Sequence, residues 1–234
     1  MTVVGVDGCR SGWVAVGIGE WDGIGTGGGE AKDLEAALLS EVSEIPDRFP
    51  DVTMVAIDMP IGLGTTSFRE TDSLARERLG RRGSSVFATP PRAVLETEEH
   101  AAASALCVEL TGKGVSRQAH GLRHKILEVD RWLPHAPCVV REAHPELCFA
   151  EMIGHPARHT KKSWGGLAER VRALQRAGLD PLSLPEDPAA VAPDDLLDAF
   201  AAAWTAARLE RGRARSLPDP PELLDSDEPA AIWV

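Results

Sequence analysis

The chain opens on two apolar, β-branched runs, Val3 to Val6 and Trp13 to Ile18, separated by Asp7 and the loop Gly8-Cys9-Arg10-Ser11-Gly12. Short apolar runs bounded by turn residues read as buried strands, and so short a loop makes the pair an antiparallel hairpin. A third strand is expected around Ile24 to Thr26, ahead of Gly27 to Gly29. Leu34, Leu38, Leu39 and Val42 then recur at helical spacing among helix-forming residues, which predicts a helix over Asp33 to Val42. "VTMVAID" follows as a compact strand closing on Asp58. A helical crossover that returns the chain beside the first strand implies a parallel pair within a mixed sheet.

Residues 66 to 135 hold helical patterns around Arg69 to Leu79, His100 to Leu110 and Leu122 to Trp132, and read as a helical insertion between sheet strands. A strand is expected at Cys138 to Arg141 and a helix beyond Pro145. "GGLAERVRALQRAGL" predicts a helix stopped at Gly178, and "PDDLLDAFAAAWTAARLER" a long helix with Pro193 and acids in its first turn. The tail is rich in proline and acid, with "AAIWV" as a candidate edge strand. The length suits one domain over 1–234 with the insertion inside it.

The candidate chemistry lies where these elements end. Asp7 and Asp58 each close an apolar strand, and on parallel neighbours both carboxylates lie at the carboxyl edge of the sheet, where open α/β folds place ligands. Two adjacent carboxylates repel; a divalent cation relieves this, and Mg²⁺ takes one or two protein carboxylates together with phosphate oxygens. Asp58 as the cap of the following turn is the structural alternative. In the long helix, Asp195 and Asp198 share a face at three apart, and Asp194 and Asp198 at four apart; Asp194 reads as a helix-dipole acid. Glu146 of "HPE" is a candidate fourth ligand or general base, and His144 a donor to a phosphate or leaving group. Lys161 and Lys162 are candidates to neutralise a phosphate, although lysines are more often simply solvated.

Composition narrows the classes. No apolar run is long enough to span a bilayer and no secretory signal pattern is present, so a cytoplasmic protein without membrane contact is expected. Cys9, Cys107, Cys138 and Cys148 are scattered and read as free thiols. The net charge of -11 opposes non-specific adhesion to nucleic acid, while Arg76, Arg78, Arg81, Arg82 and Arg92 leave room for a local basic face. Trp13 is expected in the core.

The motifs "GVDGCRSGWVAV", "AIDMPIGL", "GRRGSSVFATPPRAVL", "HPE", the lysines before "GLAER", and "DDLLDAFAAAW", in that order, resemble the family catalogued as domain of unknown function 429, which looks like predicted nucleases of the RNase H-like superfamily. The resemblance spans nearly the whole chain. It implies a mixed five-stranded RNase H-like sheet flanked by helices. It also implies that Asp7 matches the first-strand carboxylate, Asp58 the central-strand one, and Asp195 and Asp198 the late-helix acids of the junction-resolving branch. The leading expectation is a two-metal phosphodiesterase using Mg²⁺ or Mn²⁺ held by Asp7, Asp58, Asp195 and Asp198, with Glu146 in the catalytic set. Arg81, Arg82 and Arg92 would contact phosphates, with Ser84 and Ser85 as further donors. The implied partner is DNA, RNA or a branched junction; oligomeric state, a homodimer included, stays open. Two alternatives remain: a nucleotide-binding or phosphotransfer protein of the actin and sugar-kinase branch, and a non-catalytic binding protein on the same fold.

Overall fold

A computed structural model of the chain describes residues 1–21, 31–185, 191–224 and 228–234. These divide into two compact units, one of Met1–Asp58, His135–Arg215 and Trp233–Val234, the other of Met59–Pro134 and Ser216–Ile232. The expected strand around Ile24 to Thr26 lies outside the described residues.

The first unit is built on five strands: β1 (Thr2–Cys9), β2 (Gly12–Trp21), β3 (Ala31–Leu39), β4 (Val52–Ile57) and β5 (Val139–Ala143), in the order β3-β2-β1-β4-β5. β1 and β2 form the expected antiparallel hairpin, turning at Gly12, whose φ of 134° only glycine adopts without strain. β4 runs parallel to β1 and β5 parallel to β4. The helix expected over Asp33 to Val42 is instead β3, paired antiparallel with β2 from Trp13↔Leu39 to Trp21↔Ala31. Leu34, Ala37 and Leu39 are buried there. Pairing the open edge of β2 outweighs the helical preference of these residues, since tertiary pairing routinely overrides local propensity. What joins β3 to β4 is a 3₁₀ turn at Val42–Glu44 and the single-turn helix α1 (Ile45–Arg48).

Three further helices belong to this unit: α7 (Pro145–Ile153), α8 (Trp164–Arg176) and α9 (Pro193–Glu210). α9 lies against β1, β2 and β4. Its buried face carries Ala199, Ala202, Ala203 and Ala206 around Phe200 and Trp204. These small residues let the helix backbone touch the sheet: a Cβ on Gly5 would stand 1.9 Å from the Ala203 nitrogen and 2.2 Å from the Ala199 oxygen. Gly5 of β1 is therefore fixed by the closeness of α9, and that closeness determines where the first turns of α9 fall.

The second unit holds α2 (Glu70–Leu79), α3 (Arg92–Glu96), α4 (His100–Thr111), α5 (Arg117–Gly121) and α6 (Arg123–Trp132), with strands β6 (Ser216–Glu222) and β7 (Ala230–Trp233), the last residue of β7 excepted. The described residues thus carry seven strands rather than the expected five. β6, reading "SLPDPPE", was hidden because prolines remove ladder donors and mimic a coil. The Glu222 carboxylate at its end accepts from the backbone N–H groups of Glu70 (3.0 Å) and Thr71 (3.2 Å), capping α2 from afar. Val94, Ala103, Cys107, Val115 and Ala119 form a separate apolar core here, covered by Phe68, Phe87, Leu106 and Leu110. The long middle segment can bury apolar surface within its own unit.

Candidate active site: a carboxylate cluster at the sheet edge

The register Val6↔Ile57 makes the next residue of each parallel strand a neighbour, about 4.8 Å apart by strand spacing. Those residues are Asp7 and Asp58. The Asp58 N–H donates to the Val6 carbonyl at 2.9 Å, continuing the ladder by one bond. Asp7 is 5% exposed, and its side chain shares a hydrogen bond with that of Asp58. Met59-Pro60 then turns the chain away.

The close seating of α9 on β1 delivers the remaining acids. Asp198 is buried, and its Oδ2 accepts from the Lys161 Nζ at 2.6 Å. The same ammonium stands 3.8 Å from Asp194 Oδ2, a buried oxygen with no hydrogen-bond partner. Asp195 is half-buried and lies within electrostatic range of Asp194, Lys161, Lys162 and Asp58. Asp194, read from sequence as a dipole acid, therefore shares a cation with Asp198; the four-residue spacing between them was the available signal.

Electrostatics follow from the placement. Burial, then the charges of Asp58 and Asp198, hold the Asp7 carboxyl well above the usual carboxylate range. Burial likewise raises Asp58, only partly offset by His144 and Lys161. Asp198 is pushed up to about 7, chiefly by burial, with Lys161 opposing. Lys161 is itself raised: burial works against its charge, but Asp198, Asp7 and Asp58 together prevail. Burial outweighs the opposing charges of Lys161, His144 and Arg170 at Asp7, Asp58 and Asp198, so the carboxyls stay raised despite them.

α7 borders the cluster. His144 is its N-cap residue, and its Nδ1 is buried without a hydrogen-bond partner. Glu146, in the first turn, accepts from Arg170 of α8 at 2.5 Å through Oε1, whereas its Oε2 has no partner. Sequence reading missed Arg170, which is fully buried; an arginine inside an amphipathic helix carries no mark of the acid it meets.

Arg81, Arg82, Ser84, Ser85 and Arg92 all belong to the second unit. Arg92 pairs with Asp130, donating at 2.8 Å to Oδ1, and Ser85 donates to the Arg82 carbonyl at 2.8 Å. Arg81 and Ser84 are exposed. The cysteines are free, with Cys9, Cys107 and Cys148 buried.

Among the described residues no three His, Cys, Asp or Glu side chains stand as a ready ligand group. The donor chemistry nevertheless fits a hard divalent cation: Asp7, Asp58 and Asp198 are oxygen donors crowded against their own repulsion, and Asp194 Oδ2 and Glu146 Oε2 are buried with no hydrogen-bond donor.

A mixed α/β sheet flanked by helices, with acids gathered at the carboxyl ends of two parallel strands, defines the class. The chain belongs to the family described as Protein of unknown function (DUF429), which it matches over residues 5–223. No curated protein matches it. A solved structure described as Thermus thermophilus RuvC matches it at 13% identity and a TM-score of 0.38, with 91% of this chain and 98% of that chain covered. Among the described residues no helix is long and apolar enough to cross a membrane.

Proposed function

We propose that this protein is a divalent-metal-dependent phosphodiesterase of RNase H-like fold acting on nucleic acid, with its centre at Asp7, Asp58, Asp195 and Asp198. The observation that supports this reading is the juxtaposition of Asp7 and Asp58 with the first turns of α9, where burial raises the carboxyls despite the opposing charge of Lys161, which touches Asp198. A protein gains no stability from such crowding, so it is best explained by a ligand of opposite charge.

Asp7 and Asp58 would hold the ion, with Asp198 and Asp195 completing the oxygen set. Bound Mg²⁺ or Mn²⁺ would supply Lewis acidity and an activated water. Lys161, 36% exposed in its side chain, would exchange Asp198 for a phosphate oxygen when substrate arrives. His144, whose Nδ1 lacks a partner, would pass a proton to the leaving oxygen. Glu146 keeps one oxygen bound to Arg170 and leaves the other free to accept a proton from water.

The test is a calorimetric titration of Mn²⁺ into metal-stripped wild type and Asp7→Asn, followed by cleavage assays on single-stranded, duplex and branched substrates. Binding by wild type alone, with cleavage that requires the metal, is the expected outcome. A wild type that neither binds Mn²⁺ nor cleaves any of these substrates would leave the cluster without this role.

A further inference from the structure

Among the six tryptophans, Trp13, Trp21, Trp132 and Trp204 are buried and Trp233 is half-buried, whereas Trp164 is 85% exposed. Trp164 is the first residue of α8, at the positive end of that helix dipole. It lies in the stretch 152–168, which contains no Asp or Glu while Arg158, Lys161 and Lys162 contribute three positive charges, in a chain of net charge -11. Lys161 touches Asp198, and the charge of Lys162 acts on Asp195, so this stretch borders the carboxylate cluster. Trp164 follows Lys162 by two residues, and its Cα is within about 7.6 Å of that of Lys162.

The segment before α8 is held in place. The Glu169 carboxylate accepts from the backbone N–H groups of Arg158 (3.0 Å) and His159 (3.1 Å). Ser163 Oγ donates to the Thr160 carbonyl at 2.8 Å and accepts from the Gly166 N–H at 3.1 Å. Gly166 is obligatory, because a Cβ there would stand 1.9 Å from the Thr160 oxygen. The indole is thus presented to solvent from an ordered turn.

We propose that Trp164 is a stacking platform for one unpaired nucleobase, with Lys162 holding the adjoining phosphate of a single-stranded nucleic acid that leads to the carboxylate cluster. The proposal rests on the reading of that cluster as a nucleic-acid site. Every base has a π-face, so stacking tolerates any sequence but requires an unpaired base. The platform therefore favours single strands, frayed ends and branch points over intact duplex.

The experiment titrates single-stranded oligothymidylate into the full chain, in Ca²⁺ and separately in EDTA, reading tryptophan fluorescence and the anisotropy of a labelled oligonucleotide. The expected result is quenching in wild type, about tenfold or weaker binding by Trp164→Ala, and near-wild-type binding by Trp164→Phe. An abasic oligonucleotide of equal length should bind wild type as weakly as oligothymidylate binds Trp164→Ala. Lys162→Gln should reduce the salt dependence of log K by about one phosphate contact. The exposed position of Trp164 leaves the thermal midpoint unchanged in both variants. Equal binding by wild type and Trp164→Ala, equal binding of abasic and normal strands, or no binding under either condition would overturn the proposal. Trp164-dependent binding without metal-dependent cleavage would overturn the nuclease reading and leave the platform standing.

Discussion

The ion pair joining α7 to α8 gives a sharp test of how the site is supported. Arg170 is fully buried; it donates to Glu146 Oε1 at 2.5 Å, to the Gly166 carbonyl at 3.1 Å and to the His159 carbonyl at 3.3 Å. Its guanidinium carbon lies 5.2 Å from the centre of the Phe149 ring. Arg170→Met retains most of the aliphatic volume, so little cavity is created, yet it leaves the buried Glu146 carboxylate without a counter-charge. Stranding one partner of a buried pair costs about 3–5 kcal/mol, whereas replacing both partners by apolar residues of similar volume is often neutral. Arg170→Met alone is therefore expected to lose about 3–5 kcal/mol, and Arg170→Met with Glu146→Leu to recover at least about 2 kcal/mol of it. Urea denaturation of the full chain, monitored by tryptophan fluorescence with m held constant across variants, measures both. A single-variant loss below about 1 kcal/mol, or strictly additive losses in the double variant, would refute the claim that Glu146 depends on Arg170.

Three further outcomes are expected. Gly5→Ala pushes a methyl group into the α9 backbone and should cost about 3 kcal/mol or more in urea; a loss under about 1 kcal/mol would show that α9 can move off the sheet freely. Asp198 has a folded-state value of about 7 against 3.8 for the free group, so the metal-free protein binds more protons than its unfolded chain between those values. Its contribution, on the order of 4 kcal/mol, is fully present below about pH 4 and lost as pH rises through 7. Asp198→Asn should flatten that slope in pH-resolved denaturation, and an unchanged slope would count against it. Lys161→Met removes the main cation touching Asp198, so the metal-free variant should melt lower than wild type at pH 8 and gain more on adding Mn²⁺; an equal metal-induced gain would contradict the charge-deficit account.

Much of the fold was legible because local pattern and tertiary environment agreed. The β1–β2 hairpin, the strand ending at Asp58, the helix opened by Pro145 and the alanine-rich α9 all carry their periodicity and punctuation in the residues themselves. β3 was misread because "AKDLEAALL" satisfies helical spacing, while the pairing demand that overrides it lies on β2, distant in kind if near in sequence. β6 was lost to its prolines. At the site, strand ends are visible to a reader of sequence, so Asp7 and Asp58 stood out. Partnerships across space are not: the spacing of Asp194 and Asp198 puts them on one face but does not name Lys161 as their partner, nor does any spacing name Arg170 as that of Glu146.

The same contact that makes the core makes the site. Gly5 and the alanines of α9 let helix and sheet approach until their backbones touch, which buries Phe200 and Trp204 and excludes water from the middle of the sheet. The first turns of α9 cannot escape that approach, so Asp198 is desolvated beside Asp7, and both rise in proton affinity. Leucine or asparagine at those positions would serve the core better, because an uncompensated buried carboxylate opposes folding. Lys161 supplies one compensating charge and remains partly in solvent, where a phosphate can reach it. A deficit of positive charge built into this close helix–sheet packing is what the proposed cation site needs. It attracts a divalent ion more strongly than a monovalent one, since Coulomb attraction scales with ligand charge, while the cost of seating the helix is met by the apolar contacts around it.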